Sequence, residues 1–194
     1  MTRDLKTLLQ ETAARHHQRL CPRQVLGVRV GMYAGEMFHL DLPQGDKRLL
    51  ALVETDGCFT DGIAVSTGCW WGRRTMRLMD YGKVAATFVD TRTGRALRIR
   101  PALDARVRAL EYVSDAPDRW HAQLYGYQSM PNCELLEVCE VELAGGLDAL
   151  IGQAGTRVVC QTCGEEILNR REIQRAEKVL CRACDTNAYY VSKK

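Results

Sequence analysis

The chain contains no long apolar run, which excludes several classes of protein. No stretch approaches the roughly 20 apolar residues needed to span a bilayer, so we expect no membrane partner. The first 20 residues are polar and charged, whereas a secretory signal would carry an apolar core. With 46% hydrophobic and 26% charged residues, the composition is typical of a globular protein. We therefore expect a cytoplasmic protein.

Charge of one sign and the motifs of cluster-dependent redox catalysis are also scarce. The formal net charge of +3 is too small to indicate nucleic-acid binding by itself. The sequence has no glycine-rich phosphate loop and no Cys-x-x-Cys-x-x-Cys run of the iron–sulfur type. Function must therefore be inferred from individual sites.

The length of 194 residues accommodates one domain of ordinary size and a small appendage. Glycines punctuate residues 144–146 and 152–155, shortly before a cysteine-rich stretch, as is typical of a linker. The sequence therefore predicts a core domain over residues 1–155 and a small module over residues 156–194.

The hydrophobic pattern of the first 143 residues predicts an α+β fold, with helices packed on a mixed β-sheet. The predicted helices cover residues 2–20, 61–67 and 101–124. The predicted strands cover residues 48–54, 84–89, 95–100 and 135–143. A turn at residues 90–94 makes the second and third strands a hairpin, while residues 25–33 fit a helix and a strand equally well.

Four of the nine cysteines form two Cys-x-x-Cys pairs. Cys160 and Cys163 are followed, after 17 residues, by Cys181 and Cys184, a spacing expected of a four-cysteine zinc site. Such a site leaves no open position, so the zinc would be structural, in a small finger of the treble-clef or ribbon type. The alternative is a redox pair or four unrelated thiols. Acidic and basic residues alternate around the cysteines, which gives nucleic-acid binding only weak support.

The core domain contains a second set of candidate residues. Cys58 follows the predicted strand 48–54, at the kind of strand end where α/β sheets place reactive groups. A thiolate near an imidazole, such as that of His17, can bind a metal or act as a nucleophile, which makes Cys58 the candidate catalytic residue. The alternative is that Cys58 and Cys21 are small apolar packing residues.

Ordered motifs over residues 10–100 resemble the FmdE family of formylmethanofuran dehydrogenase proteins, several members of which carry a similar C-terminal zinc finger. The motifs are Cys21-Pro22, Leu26-Gly27-Val28-Arg29, Val53-Glu54-Thr55-Asp56-Gly57-Cys58, Thr67-Gly68-Cys69 and Asp80-Tyr81-Gly82-Lys83-Val84-Ala85-Ala86-Thr87-Phe88. The resemblance implies an α+β core with a mixed sheet, a homodimer, and a cleft in which histidine and cysteine bind a metal.

The family's first motif, His-x-His-x-Cys-Pro-Gly, corresponds to residues 17–23. Arg19 replaces the second histidine and Arg23 replaces the glycine. A guanidinium has no acceptor lone pair and cannot ligate a metal. The candidate ligands of a second transition metal in the cleft are therefore His17, Cys21 and Cys58, with Cys69 and Asp61 as further candidates.

Three hypotheses follow. The first is a metal-binding accessory or redox-related protein, which is not expected to catalyse formylmethanofuran oxidation alone. The second is a regulator that senses a metal or ligand in the cleft and contacts nucleic acid or a partner protein through its zinc finger. The third is a structural or assembly protein with two inert cysteine sites.

Overall fold

In the computed structural model, which describes residues 3–151, 155–191 and 193, the chain divides into two units, Met1–Glu142 and Leu143–Lys194. The predicted boundary at residue 155 falls inside the second unit, because a short helix, Gly146–Ile151, precedes it there. Residues 152–154 of the predicted linker lie outside the described residues.

The first unit contains one five-stranded sheet and six helices in its described part. In chain order they are α1 (Leu5–Arg15), α2 (Pro22–Phe38), β1 (Leu49–Val53), α3 (Cys58–Thr67), β2 (Met76–Leu78), β3 (Ala86–Asp90), β4 (Ala96–Pro101), α4 (Ala105–Arg108), α5 (Arg119–Ser129), α6 (Asn132–Leu135) and β5 (Leu136–Val141). The strand order is β2-β1-β3-β4-β5. Within the described ranges, no helix has both the length and the apolar character needed to cross a bilayer.

The sheet is mixed, as predicted. β1 runs parallel to β2, whereas β1–β3, β3–β4 and β4–β5 are antiparallel. The predicted hairpin is β3–β4, in which Phe88 is opposite Leu97 and Gly94 takes the positive φ of 75° that the turn requires. Phe88, Leu97 and Ile99 are fully buried in the same hydrophobic cluster as residues of α2 and α3, so these helices cover one face of the sheet.

The prediction of one helix over residues 2–20 was wrong, because α1 ends at Arg15. Two consecutive residues, His17 and Gln18, take left-handed φ values of 54° and 61°, which a helix cannot continue through. A second helix then begins at Pro22, at the first helical position, where the missing N–H of proline costs nothing. The N–H of Cys21 donates to Oε1 of Gln24 (2.8 Å) and fixes this start.

Glycines bring α2 and α3 into backbone contact. A Cβ added at Gly27 would overlap the carbonyl oxygen of Phe59, and one at Gly62 would overlap that of Gln24. One turn further along, Gly31 meets the side chain of Ser66. Because the contacts advance in the same direction along both helices, the helices are parallel, and their N-termini lie side by side.

A buried arginine fastens α5 to α2. The guanidinium of Arg29 donates to the carbonyl oxygens of Tyr127 (2.6 Å) and Met130 (2.7 Å) and to Oδ1 of Asn132 (2.7 Å). These acceptors lie at the C-terminal end of α5, whose last carbonyls have no partner within the helix. The region predicted as one helix over 101–124 is instead α4, a loop and α5.

The end of β3 carries an ion pair with a measurable pH dependence. Asp90 is 2% exposed and accepts from Nε (3.0 Å) and a terminal nitrogen (2.8 Å) of Arg48. These hydrogen bonds lower the pKa of Asp90 to about 2. Its unfolded pKa is near 3.8, so the stabilisation is complete above about pH 4 and is lost as the pH falls towards about 2.

We therefore expect Asp90→Asn to destabilise the first unit at pH 7 and to remove this loss in acid. The shift corresponds to about 2 kcal/mol, which screening of the partly exposed Arg48 reduces to about 1 kcal/mol. Urea unfolding at pH 7 and pH 3 measures it, with Asp115→Asn, at an exposed turn, as the control. An Asp90→Asn protein with wild-type stability at both pH values would contradict the expectation.

The second unit consists of short elements. They are α7 (Gly146–Ile151), β6 (Arg157–Val159), β7 (Glu166–Leu168), β8 (Ile173–Arg175), β9 (Lys178–Leu180) and one π-helical turn, Ala183–Asn187. β6 pairs with β7 and β8 pairs with β9, each antiparallel, so the unit holds two hairpins followed by a helical turn.

Candidate functional site

The four cysteines of the second unit converge as the spacing predicted. The sulfur atoms of Cys160, Cys163, Cys181 and Cys184 all lie within 4.8 Å of one another. Of the described residues, these are the only group of three or more histidine, cysteine or acidic side chains that is clustered in this way. Four thiolates at such separations can hold one metal ion.

The local backbone explains the convergence. Cys160 and Cys163 lie in the turn of the β6–β7 hairpin, which Gly164 closes with a φ of 78° and a hydrogen bond to the carbonyl of Cys160 (2.9 Å). The second pair follows β9, and the N–H of Cys181 donates to the sulfur of Cys160 (3.3 Å). Hydrogen bonds from backbone N–H groups, those of Cys163 and Cys181 foremost, lower the pKa of the Cys160 thiol. Metal ligation requires the same deprotonation.

The packing of the two parallel helices brings two core thiols together. Cys21 is the N-cap of α2, and Cys58 is the first residue of α3. The sequence placed Cys58 in the loop after β1, whereas the helix begins three residues before the predicted start. Burial raises the pKa of Cys58, and a side-chain hydrogen bond with Cys21 raises it further. The thiol pair therefore holds its protons until a cation displaces them.

His16, and not His17, lies beside this pair. Nε2 of His16 is 3.4 Å from Oδ2 of Asp61, in the first turn of α3, and the charge of Asp61 also raises the pKa of Cys58. His17 is exposed, with the left-handed backbone that ends α1. No imidazole lies within 4.8 Å of both thiols as a third ligand in the described part of the chain. The motif spacing favoured His17, and only the turn after α1 reverses the choice.

Cys69 belongs to the hydrophobic core. It is fully buried, its sulfur accepts from Nε2 of Gln44 (3.3 Å), and burial raises its pKa to about 11. The same Gln44 amide is hydrogen-bonded to the N–H and C=O of Leu49, at the start of β1. The structure thus places Cys69 at the opposite end of α3 from Cys58.

A cavity of about 770 Å³ opens beside Cys21. This volume is within the range of sites for small organic molecules, about 300–1,000 Å³. The residues that line it come from the start of α2, the loop before β3, the end of β4 and helices α4 and α5. Sequence reasoning missed this cavity because its lining residues are spread over more than 100 positions of the chain.

Glu54, just after β1, organises one wall of the cavity. Its carboxylate, 5% exposed as a residue, accepts two hydrogen bonds from Arg98 (2.6 and 2.7 Å). Its carbonyl accepts from the N–H groups of Tyr81 (2.9 Å) and Lys83 (3.2 Å). One residue therefore orients Arg98 and holds the loop that carries Lys83 to the cavity.

Comparison with known proteins identifies relatives of the first unit. The family model described as "FmdE, Molybdenum formylmethanofuran dehydrogenase operon" matches residues 16–137. A probable S-adenosyl-L-methionine-binding protein of Archaeoglobus fulgidus is 33% identical over 96 residues, which are 48% of this chain. The matched segment is 26% of that protein, so this chain spans about a quarter of its length.

A solved structure has the same fold. The crystal structure of an FmdE-like protein of tungsten formylmethanofuran dehydrogenase from Syntrophus aciditrophicus superposes with a TM-score of 0.64. The match covers 98% of this chain and 96% of that one at 20% identity. The likeness extends over both units of the chain and concerns the fold.

Proposed function

Because the chain belongs to the FmdE family, whose model covers most of the first unit, we propose that it is a metal-binding accessory protein of a redox system. In this proposal the core binds one transition metal through Cys21 and Cys58, and the second unit holds one structural zinc ion. Metal binding by an FmdE-like protein is the part that the family and the four-cysteine cluster support together.

The contact between Cys21 and Cys58 is the observation that carries the core site. Both sulfurs lie at the N-termini of parallel helices, where the unpaired N–H groups and the helix dipoles stabilise thiolates once a cation displaces the protons. His16 would be the third ligand, through Nδ1, with Asp61 orienting its ring from Nε2. A mixed sulfur and nitrogen ligand set suits zinc, nickel and iron.

The proposal of zinc in the second unit rests on the donor set. Four cysteine thiolates in tetrahedral arrangement are typical of structural zinc and leave no position for a substrate. The ion would serve stability, and any chemistry would belong to the core.

Metal content per chain tests the core site. We expect two metal ions in the wild type, one in Cys58→Ser and one in Cys160→Ser, measured by elemental analysis of purified protein. Cobalt substitution adds a second readout, since the thiolate-to-cobalt absorption of the core would disappear in Cys58→Ser and remain in Cys139→Ser, a change of an exposed cysteine. Cys139→Ser is the matched control.

Two variants decide which imidazole takes part. His16→Ala is expected to weaken cobalt binding in the core, whereas His17→Ala is expected to leave it unchanged. One metal ion in both the wild type and Cys58→Ser would mean an empty core and would refute the accessory metalloprotein. The structural or assembly hypothesis would then lead.

The homodimer and the nucleic-acid contact stay predictions. In the second unit Arg157 pairs with Glu166, and Arg175 forms two hydrogen bonds with Asp185 (2.7 and 3.0 Å). Paired charges of this kind favour a protein partner over a phosphate backbone. Light scattering measures the dimer, and salt-dependent binding of DNA or RNA would revive the regulator hypothesis.

A further inference from the structure

The cavity beside Cys21 is lined by cations and by no acidic residue. Five basic side chains line it: Arg23, Lys83, Arg98, Arg100 and Arg106. Two are neutralised from outside the lining, Arg98 by Glu54 and Arg100 by Glu137. The other three form no ion pair with any described residue. The cavity therefore carries about three uncompensated positive charges.

These three cations come from separate parts of the fold. Arg23 lies in the first turn of α2, Lys83 in the loop held by Glu54, and Arg106 in α4. Like charges that converge on a concave surface repel one another and focus a positive potential within it. An anionic ligand would relieve this repulsion.

The rest of the lining is apolar and partly aromatic. Leu26, Val84 and Ala105 contribute aliphatic surface, and Trp120 and Tyr127 of α5 contribute rings. Arg29 holds the end of α5 against α2, so this wall is fixed in place. An apolar wall opposite a cationic rim fits a ligand with an apolar body and a charged end.

We propose that the cavity binds a small organic anion, one with an aromatic or branched apolar body and a carboxylate or phosphate group. The anionic group contacts Arg23, Lys83 and Arg106, and the body packs against Trp120. Arginine and lysine both bind carboxylate and phosphate, so the lining defines this shared chemistry. The site goes beyond the proposed function and does not require a metal on Cys21 and Cys58.

Calorimetric titration with matched naphthalene compounds tests the proposal. We expect 2-naphthoate or 1-naphthyl phosphate to bind with one site per chain and neutral 2-naphthalenemethanol to bind at least tenfold more weakly. Affinity for the anion should fall with added salt, because the charges are near the surface. The comparison of the two anions shows whether a carboxylate or a phosphate is preferred.

Charge-removing variants locate the site. We expect Lys83→Gln and Arg23→Gln each to lower the anion affinity about fivefold to tenfold, in keeping with one lost charge-assisted contact. Lys47→Gln, the same change at an exposed lysine far along the chain from the lining, should have no effect. None of the three should change binding of the neutral alcohol.

Cys58→Ser separates this proposal from the core metal, because it should lose the metal and keep the anion. Equal affinity for the anions and the neutral alcohol, or anion affinity that Lys83→Gln and Arg23→Gln leave unchanged, would overturn the proposal. So would the absence of binding by either anion at low salt.

Discussion

Removing the metal from the four-cysteine cluster is expected to unfold the second unit and leave the first unit folded. Among the described residues of the second unit, only Cys160 and Ile167 are buried hydrophobic side chains. A core of this size cannot stabilise about 50 residues by itself. In small zinc modules the metal contributes about 10–16 kcal/mol, and folding is lost without it.

Hydrogen exchange measured by mass spectrometry distinguishes the two units. After treatment with a strong chelator, peptides that cover β6 to β9 should lose their protection, while those of β1, β3 and β4 should keep it. Cys181→Ser should reproduce the effect without a chelator, and Cys133→Ser, at an exposed cysteine of the first unit, should not. Protection of β6 to β9 that survives both treatments would show that the unit folds without metal.

The four-cysteine site was predictable because it is local. Each Cys-x-x-Cys pair sits in one turn, and the spacing between the pairs fixes which turns meet. The hairpin β3–β4 was predictable for the same reason, since Gly94 and the alternating apolar residues lie within one short segment. The boundary of the two units was not, because glycines at 152–155 resemble a linker even where the preceding helix belongs to the second unit.

The core site depends on contacts that a linear pattern does not display. Cys21 and Cys58 are 37 positions apart, and their meeting depends on the close packing of α2 on α3 at Gly27 and Gly62. The helix α2 itself had a local signal, Pro22 directly after the cap residue, but this proline also fits the end of a preceding helix. The residues of the cavity converge only in the folded sheet.

The glycines of this helix pair can be tested with an inverted expectation. In an ordinary helix interior, Gly→Ala stabilises by up to about 1 kcal/mol, because alanine has the higher helix propensity. At Gly27 we expect the opposite sign. The added Cβ would overlap the carbonyl oxygen of Phe59, and relief requires movement of backbone in both helices.

We therefore expect Gly27→Ala to lower the free energy of unfolding of the first unit by about 3 kcal/mol, at the upper end of overpacking costs. Tryptophan fluorescence in urea reports on this unit alone, because Trp70, Trp71 and Trp120 all lie within it. Gly45→Ala, where an added Cβ has no neighbour within 4 Å, should leave the midpoint unchanged.

The same variant links packing to the core site. Separation of α2 from α3 would also separate the thiols of Cys21 and Cys58, so Gly27→Ala should lose cobalt from the core while the four-cysteine cluster keeps its metal. A Gly27→Ala protein that is as stable as the wild type would mean that the helices tolerate a wider spacing. If that protein also kept its core cobalt, the thiols would not depend on the glycine contact for their position.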